Sequence, residues 1–399
     1  MHLAGVPLEF ILFAAILGMI AFSHVSTLAV AAVGAAVITV YKVAAAPFHE
    51  GAGLAGLAAH AGAEWVGLAN LLALLLGFAV LARQFEDSGV PARLPDHLPD
   101  GWTGPLVLLI AVFVISSFLD NIAAAIIGGS VAHTVFRGKV HIGFLAAIVA
   151  ASNAGGCGSV VGDTTTTMMW LAGISPAQVA PAYIAGVVAL AVSAVPGALM
   201  QHKFAPISAD APAGARIDWA RVGIVAFMLI TVIGANLLLN TRFRAASAGA
   251  PLLGIALWLA IGVSALFRKS DWSVLPGAAK GAAFLLSLVW AASMMPVEAL
   301  PAASWPTALG LGFVSAVFDN IPLTALALRQ GGFDWGFLAY AVGFGGSMLW
   351  FGSSAGVALT SQYPEARSVA LWLRHGWPVA AGYVAGFAIM LLVAGWHPG

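Results

Sequence analysis

The chain has 399 residues, 61% of them hydrophobic and only 8% charged, with a formal net charge of zero at neutral pH. Soluble globular proteins carry about 25% charged residues, so this composition cannot cover a water-facing surface, whereas lipid needs no charge at all. The even charge balance leaves no basic footprint for nucleic acid, and the single cysteine, Cys157, excludes an intrachain disulfide and a Cys-based metal cluster.

A helical membrane crossing takes about 20 apolar residues, so the length predicts about ten to twelve crossings, counting broken or re-entrant ones. In chain order, apolar runs lie near 7–22, 25–43, 65–82, 104–130, 142–151, 168–173 and 177–200. After them come 219–239, 251–267, 281–295, 308–328, 336–351 and 377–396. Lipid forces each segment to satisfy its own backbone, which makes these runs helices; none alternates as barrel strands do. The first run follows residues without Lys or Arg, so it lacks the charged region of a cleaved signal peptide and reads as a retained segment. The stretch 44–63 is rich in Gly and Ala and holds His49, Glu50 and His60; it reads as a loop or a short interfacial helix. Residues 83–100 form a polar connection with two arginines and three prolines, and 201–218 has the Pro/Ala/Asp composition of a flexible linker. His24, His60 and His133, with Glu64 and Glu298, lie near segment ends and read as interfacial or water-facing. The expected organisation is N-terminal membrane segments at 1–64, a first repeat at 65–200, the linker at 201–218 and a second repeat at 219–399. Basic residues are spread over many connections and do not set an orientation.

The two halves match. Residues 116–122 read S-S-F-L-D-N-I and residues 315–321 read S-A-V-F-D-N-I. Each is followed by Gly-Phe-Leu-Ala, at 143–146 and 336–339, then by a glycine pair, Gly155-Gly156 and Gly345-Gly346. Gly162-Asp163-Thr164 then answers Gly352-Ser353-Ser354, and Tyr183-Ile184-Ala185-Gly186 answers Tyr383-Val384-Ala385-Gly386. Duplicated halves with interrupted segments at matching places are the usual transporter design, with the site between them near the midplane.

Asp120-Asn121 and Asp319-Asn320 stand inside long apolar runs. A charge there costs a few kcal/mol even on lenient insertion scales, so it should face a cavity, a partner or an ion. Each Asp also suits a helix N-cap, and Pro322 after Asn320-Ile321 favours a break and restart. Residues 152–170 read S-N-A-G-G-C-G-S-V-V-G-D-T-T-T-T-M-M-W, too rich in glycine and small polar residues for a plain membrane helix. Asn153, Asp163 and Thr164, Thr165, Thr166 and Thr167 offer amide, carboxylate and hydroxyl oxygens, hard ligands that suit a hard cation such as Na⁺. The matching segment, 343–356, holds Ser347, Ser353 and Ser354 but no acid. Three intramembrane carboxylates, Asp120, Asp163 and Asp319, argue against an anionic substrate. They are the candidate Na⁺ ligands, since a buried carboxyl can hold a proton until a cation replaces it. No nucleophile set, phosphate loop or dinucleotide fingerprint points to an enzyme, and no cofactor is expected.

On Asp120-Asn121, residues 153–170 and Asp319-Asn320, the chain resembles the NhaD-type sodium/proton antiporters of the ion transporter superfamily, which also holds arsenite and citrate carriers. Asn153-Ala154-Gly155-Gly156, Gly162-Asp163 and Thr165-Thr166-Thr167-Met168 carry most of it, with residues 315–322 and 345–356. The resemblance implies an all-α polytopic membrane protein built of two inverted repeats, each with a broken helix and a re-entrant hairpin, and an elevator-like or rocking motion. It implies an ion path lined by Asp120, Asn121, Asn153, Asp163, Thr165, Thr166, Asp319, Asn320, Ser347, Ser353 and Ser354. It also implies exchange of Na⁺ or Li⁺ for H⁺, with a citrate, dicarboxylate or arsenite carrier as the alternative. One departure is Cys157-Gly158-Ser159-Val160-Val161, where the family carries a bulkier stretch. The expected partners are sodium or lithium ions, protons and the bilayer, with a homodimer left open and no nucleic acid. The expected location is a bacterial inner membrane.

Overall fold

The computed structural model describes residues 2–3, 6–22, 26–207, 216–243, 246, 249–318 and 320–399. Apart from a two-residue antiparallel pairing of His2–Leu3 with Val6–Pro7 and an isolated bridge between Phe48 and Gly51, its regular structure is helical. Among the described residues, six helices, counted with their adjoining short turns, are long and apolar enough to cross a membrane: Thr27–Ala45, Gly53–Asp87, Pro176–Phe204, Trp219–Leu239, Trp272–Ser293 and Val369–Ala394. With the family evidence below, this makes the chain an integral, polytopic membrane protein.

The N-terminal helices are α1 (Leu8–Phe22), α2 (Thr27–Ala45) and the long α3 (Gly53–Asp87). The stretch read as a loop or a short interfacial helix is therefore mostly helix, and α3 runs on through Arg83 into the stretch read as a connection. Two causes are visible. The polar groups of the stretch find partners within the fold: His60 is fully buried, with Nδ1 hydrogen-bonded to Glu50 at 2.8 Å and Nε2 to Ser293 at 2.9 Å. At Gly56 the helix start lies against the Gly51 carbonyl, where a Cβ has no room. Lys42, expected in no role, is buried and paired with Glu9 at 3.7 Å.

The middle of the chain gives α4 (Thr103–Ser116), α5 (Asn121–Val135), α6 (Ile142–Gly156), α7 (Thr164–Leu171) and α8 (Ala182–Phe204). The linker expected from residue 201 begins later, because Gln201 is the buried last turn of α8, where it accepts the His141 N–H and donates to the Lys139 carbonyl. Residues 208–215 of that linker lie outside the described residues. The second half gives α9 (Trp219–Thr241), α10 (Leu252–Ala265), α11 (Leu275–Ser293), α12 (Trp305–Ser315), α13 (Asn320–Gln330), α14 (Trp335–Gly345), α15 (Ser354–Gln362) and α16 (Val369–Ala394).

The order helix, break, helix, helix, tight turn, short helix, long helix thus occurs twice, as α4 to α8 and α12 to α16. At the centre lie α6 and α14. From Gly143 to Gly156 and from Gly336 to Gly345 every residue is buried, as befits helices that are apolar all round. The long helices α8 and α16 cross through small residues, with Gly382 and Gly386 set against the carbonyls of Ala189 and Ala185, the close approach typical of membrane helix pairs.

Candidate functional site

Both breaks in the apolar runs fall where the Asp-Asn pairs stand. The α4 backbone tightens at its end, with the Phe118 and Leu119 N–H groups both donating to the Ile115 carbonyl. Asp120 then turns extended and caps α5, its Oδ1 accepting the Ile122 N–H at 2.9 Å. Asn320 opens α13 in the same position; Asp319 lies outside the described residues. The second kind of break follows α6 and α14. The segment expected to be irregular is narrower than the sequence suggested: 152–156 finish α6, only 157–163 leave the helix, and Thr164 begins α7. Asp163 caps α7 by accepting the Thr165 N–H at 3.0 Å, and Ser353 caps α15 by accepting the Gly356 N–H at 3.2 Å.

The glycine pairs are required because each hairpin folds back on itself. A Cβ on Gly156 would stand 2.5 Å from the Gly162 carbonyl oxygen, and a Cβ on Gly346 would stand 2.5 Å from that of Gly352. The same tie fixes each hairpin to the broken helix: Ser116 Oγ donates to the Ser152 carbonyl at 2.6 Å, and Ser315 Oγ donates to the Val342 carbonyl at 2.7 Å.

Where the hairpins meet, they exchange contacts in matching pairs. Asn153 is fully buried; its Nδ2 donates to Ser347 Oγ at 2.9 Å and to Ser353 Oγ at 3.1 Å across the halves. Its Oδ1 accepts from Asn121 Nδ2 at 2.9 Å. Gly343 occupies the place in the second half that Asn153 has in the first. A Cβ there would lie 3.1 Å from Asp163 Oδ2 and 3.5 Å from Cys157 Cβ. Asp163 and Cys157 are the counterparts of Ser353 and Ser347. One half therefore contributes an amide facing two hydroxyls, and the other a bare glycine facing a carboxylate and a thiol. Thr165 Oγ1 stands within 4 Å of the same point on Gly343 and is buried without a hydrogen bond, whereas Thr166 and Thr167 donate to the Asp163 carbonyl at 2.8 and 3.0 Å.

Of the residues expected to line the site, Asn121, Asn153, Ser347 and Ser353 form one hydrogen-bonded cluster. Asp163 and Thr165 adjoin it at Gly343, and Thr164, Ser354 and Asn320 stand at the helix starts. Asp120 is one residue from the cluster and also lines a cavity of about 470 Å³ together with Arg83 and Glu86. Among the described residues no three His, Cys, Asp or Glu side chains gather as a metal site. The sequence reading missed Gly343. Its signal was the alignment of the halves, which places a glycine opposite Asn153.

The sequence profile of the citrate transporter family matches residues 10–345. The chain is 30% identical over 334 residues to sodium/proton antiporter 1 of Arabidopsis thaliana, covering 73% of this chain and 56% of that protein. It is 29% identical over 299 residues to sodium/proton antiporter 2 of the same plant, covering 64% of this chain and 68% of that one. It is 26% identical over 344 residues to the Na(+)/H(+) antiporter NhaD of Halomonas elongata, covering 71% of this chain and 66% of that one. It thus spans little more than half the length of the first relative. The chain belongs to the citrate transporter family, within the ion transporter superfamily and on its NhaD-type branch.

Proposed function

We propose that this chain is a secondary transporter that exchanges Na⁺ or Li⁺ for H⁺ at the meeting of its two hairpins. The observation that carries the proposal is the placement of Asp163. Its carboxylate is 2% exposed, sits at the N-terminus of α7, and faces the backbone of Gly343 from the other half. The unbonded Thr165 hydroxyl near the same point on Gly343, and the Asn121–Asn153–Ser347/Ser353 cluster that ties the same two hairpins together, offer hard oxygen and amide groups that can replace a cation's water. The names of three relatives as sodium/proton antiporters support the same reading.

In this reading a dehydrated cation and a proton compete for one carboxylate. A protonated Asp163 is neutral and needs no counter-ion, while an ionised one needs the cation to offset its charge in a medium of low dielectric. Either occupant leaves the site neutral, and an empty, charged site is the state that resists crossing. Asp120, at the start of the broken helix α5, and Asp319, which precedes Asn320 in the sequence, receive the cation or the proton on the way. The two halves, 65–200 and 219–399 around the linker 201–218, are then inverted repeats, and 1–64 packs beside them.

Everted vesicles holding the protein under a pH gradient test the proposal. Added Na⁺ or Li⁺ collapses the gradient, and Asp120→Asn, Asp163→Asn and Asp319→Asn each abolish the response while membrane insertion stays normal. Wild-type exchange in all three variants rejects the carboxylate assignment. A response to citrate with none to Na⁺ transfers the chain to the anion carriers.

A further inference from the structure

Two cavities approach the molecule's interior along the same pair of helices. The one of about 470 Å³ lies between α3, α11 and the start of α5, with Asp120 on its wall beside Arg83 and Glu86. The second, of about 310 Å³, lies between α3, α11 and the C-terminal ends of α7 and α13, and is walled by Met168 and Ala325 beside Glu64 and Arg329. On α3, Leu75 belongs to the first cavity and Leu71 to the second; on α11, Leu285 belongs to the first and Val289 to the second. Each pair is four residues apart, one helical turn or about 6 Å. The matter between is apolar: Leu71, Leu285 and Leu288 are buried and pack in one cluster with Met168 and Ile321.

The position of this partition along the membrane follows from α3. Glu64 and Arg83 are nineteen residues apart on it, about 28 Å at 1.5 Å per residue, close to the ~30 Å of a hydrocarbon core. Leu71 and Leu75 fall near the middle of that span. Each end carries an ionic pair suited to an interface. Arg329 donates to Glu64 at 2.6 Å. Arg83 donates to Asp271 at 3.0 Å and to Glu86 at 3.2 Å.

We propose that the two cavities are the two halves of one ion route along the α3–α11 wall. The route is closed near the midplane by a one-turn partition of Leu71, Leu75, Leu285 and Val289, and Arg83–Glu86 and Glu64–Arg329 mark its opposite mouths. A hydrated ion can wait in either half, but an apolar constriction without water stops it. Passage then requires handing over to the buried oxygens of the hairpins, which border the second cavity through Met168 of α7 and reach the first through Asp120 of the broken helix, whose neighbour Asn121 is bonded to Asn153. The identity of the travelling ion rests on the exchange reading above; the sidedness of the two cavities does not.

The native chain supplies its own background, since Cys157 is buried, with Sγ held 3.1 Å from the Ala154 carbonyl. Ala278→Cys and Ala79→Cys report the first cavity, and Gly67→Cys and Leu68→Cys the second. A membrane-impermeant charged thiol reagent is applied to right-side-out and to everted vesicles. The first pair reacts at least tenfold faster from one face and the second pair at least tenfold faster from the other. In the double variants with Leu285→Ser or Leu71→Ser, Ala278→Cys reacts from both faces. Reaction of all four cysteines from one face overturns the route. So does failure of all four to react when the detergent-denatured chains label fully, because lipid then fills the cavities. One-sided reaction in both double variants overturns the partition. Failure of the exchange reading shows separately, as an unmutated chain whose pH gradient ignores Na⁺ while the sidedness pattern stands.

Discussion

Gly343→Ala separates a binding role from a packing role by the sign of two effects. The added methyl would stand 3.1 Å from Asp163 Oδ2, 3.5 Å from Cys157 Cβ and 3.8 Å from Thr165 Oγ1. The first contact is a few tenths of an ångström too close and the other two are ordinary, so the carboxylate moves and little else does. A misplacement of 1 Å in a positioned reacting group costs about 100-fold; scaled to about 0.3–0.4 Å, the loss is about fivefold. Alanine in place of glycine within α14 also favours the helix by about 0.5–1 kcal/mol. The expected result is a half-saturating Na⁺ concentration raised about fivefold in everted vesicles, with a melting temperature in detergent unchanged or higher. Gly262→Ala on α10, where a methyl meets nothing within 4 Å, serves as the control: it leaves the Na⁺ dependence alone and gives the same unchanged or higher melting temperature. An unchanged Na⁺ dependence in Gly343→Ala refutes the placement of the cation at Asp163. A fall in melting temperature refutes the claim that only the carboxylate yields.

Asn153→Ala removes three buried hydrogen bonds. At the ~0.6 kcal/mol that such bonds average inside membranes, the loss is about 2 kcal/mol, read as a lower melting temperature together with weakened exchange. Ser353→Ala costs more stability than Ser347→Ala by about 1 kcal/mol, because Ser353 also caps α15; equal melting temperatures would discount the cap. Tyr383→Phe loses the 2.7 Å bond to the Leu309 carbonyl, at about 0.5–1.5 kcal/mol per bond lost, and lowers the melting temperature while Na⁺ dependence stays as it was.

The hairpins were legible in the sequence because their demands are local and doubled. A chain that turns back within seven residues needs glycine at fixed places, and Gly156, Gly162, Gly346 and Gly352 mark both turns. Asp120 and Asn320 were legible for a similar reason, since a polar pair in an apolar run has few uses besides restarting a helix. What escaped detection depends on distant partners. Glu64 read as water-facing, yet it holds Arg329 from the other half of the chain. His60 read as interfacial, yet it is enclosed by Phe48 and Trp290, with ring centroids 5.4 and 5.0 Å away. The start of α3 was left open between loop and short interfacial helix, because alanine favours a helix and glycine opposes one; the packing of Gly56 on Gly51 decided it. Gly343 was missed because its importance lies in the side chain it lacks.

The reciprocal seating of Asn153 on Ser353 and of Asp163 against Gly343 has a mechanical consequence. Neither tip can be withdrawn without unseating the other, so any movement of one takes the other and the aspartate with it. In an energised membrane the joined pair is an electrical object: moving one full charge through 100 mV involves about 2.3 kcal/mol of work. The cation-loaded and the proton-loaded block are both neutral and spared that work and the vacant one is not, so voltage acts chiefly on any crossing of the vacant block.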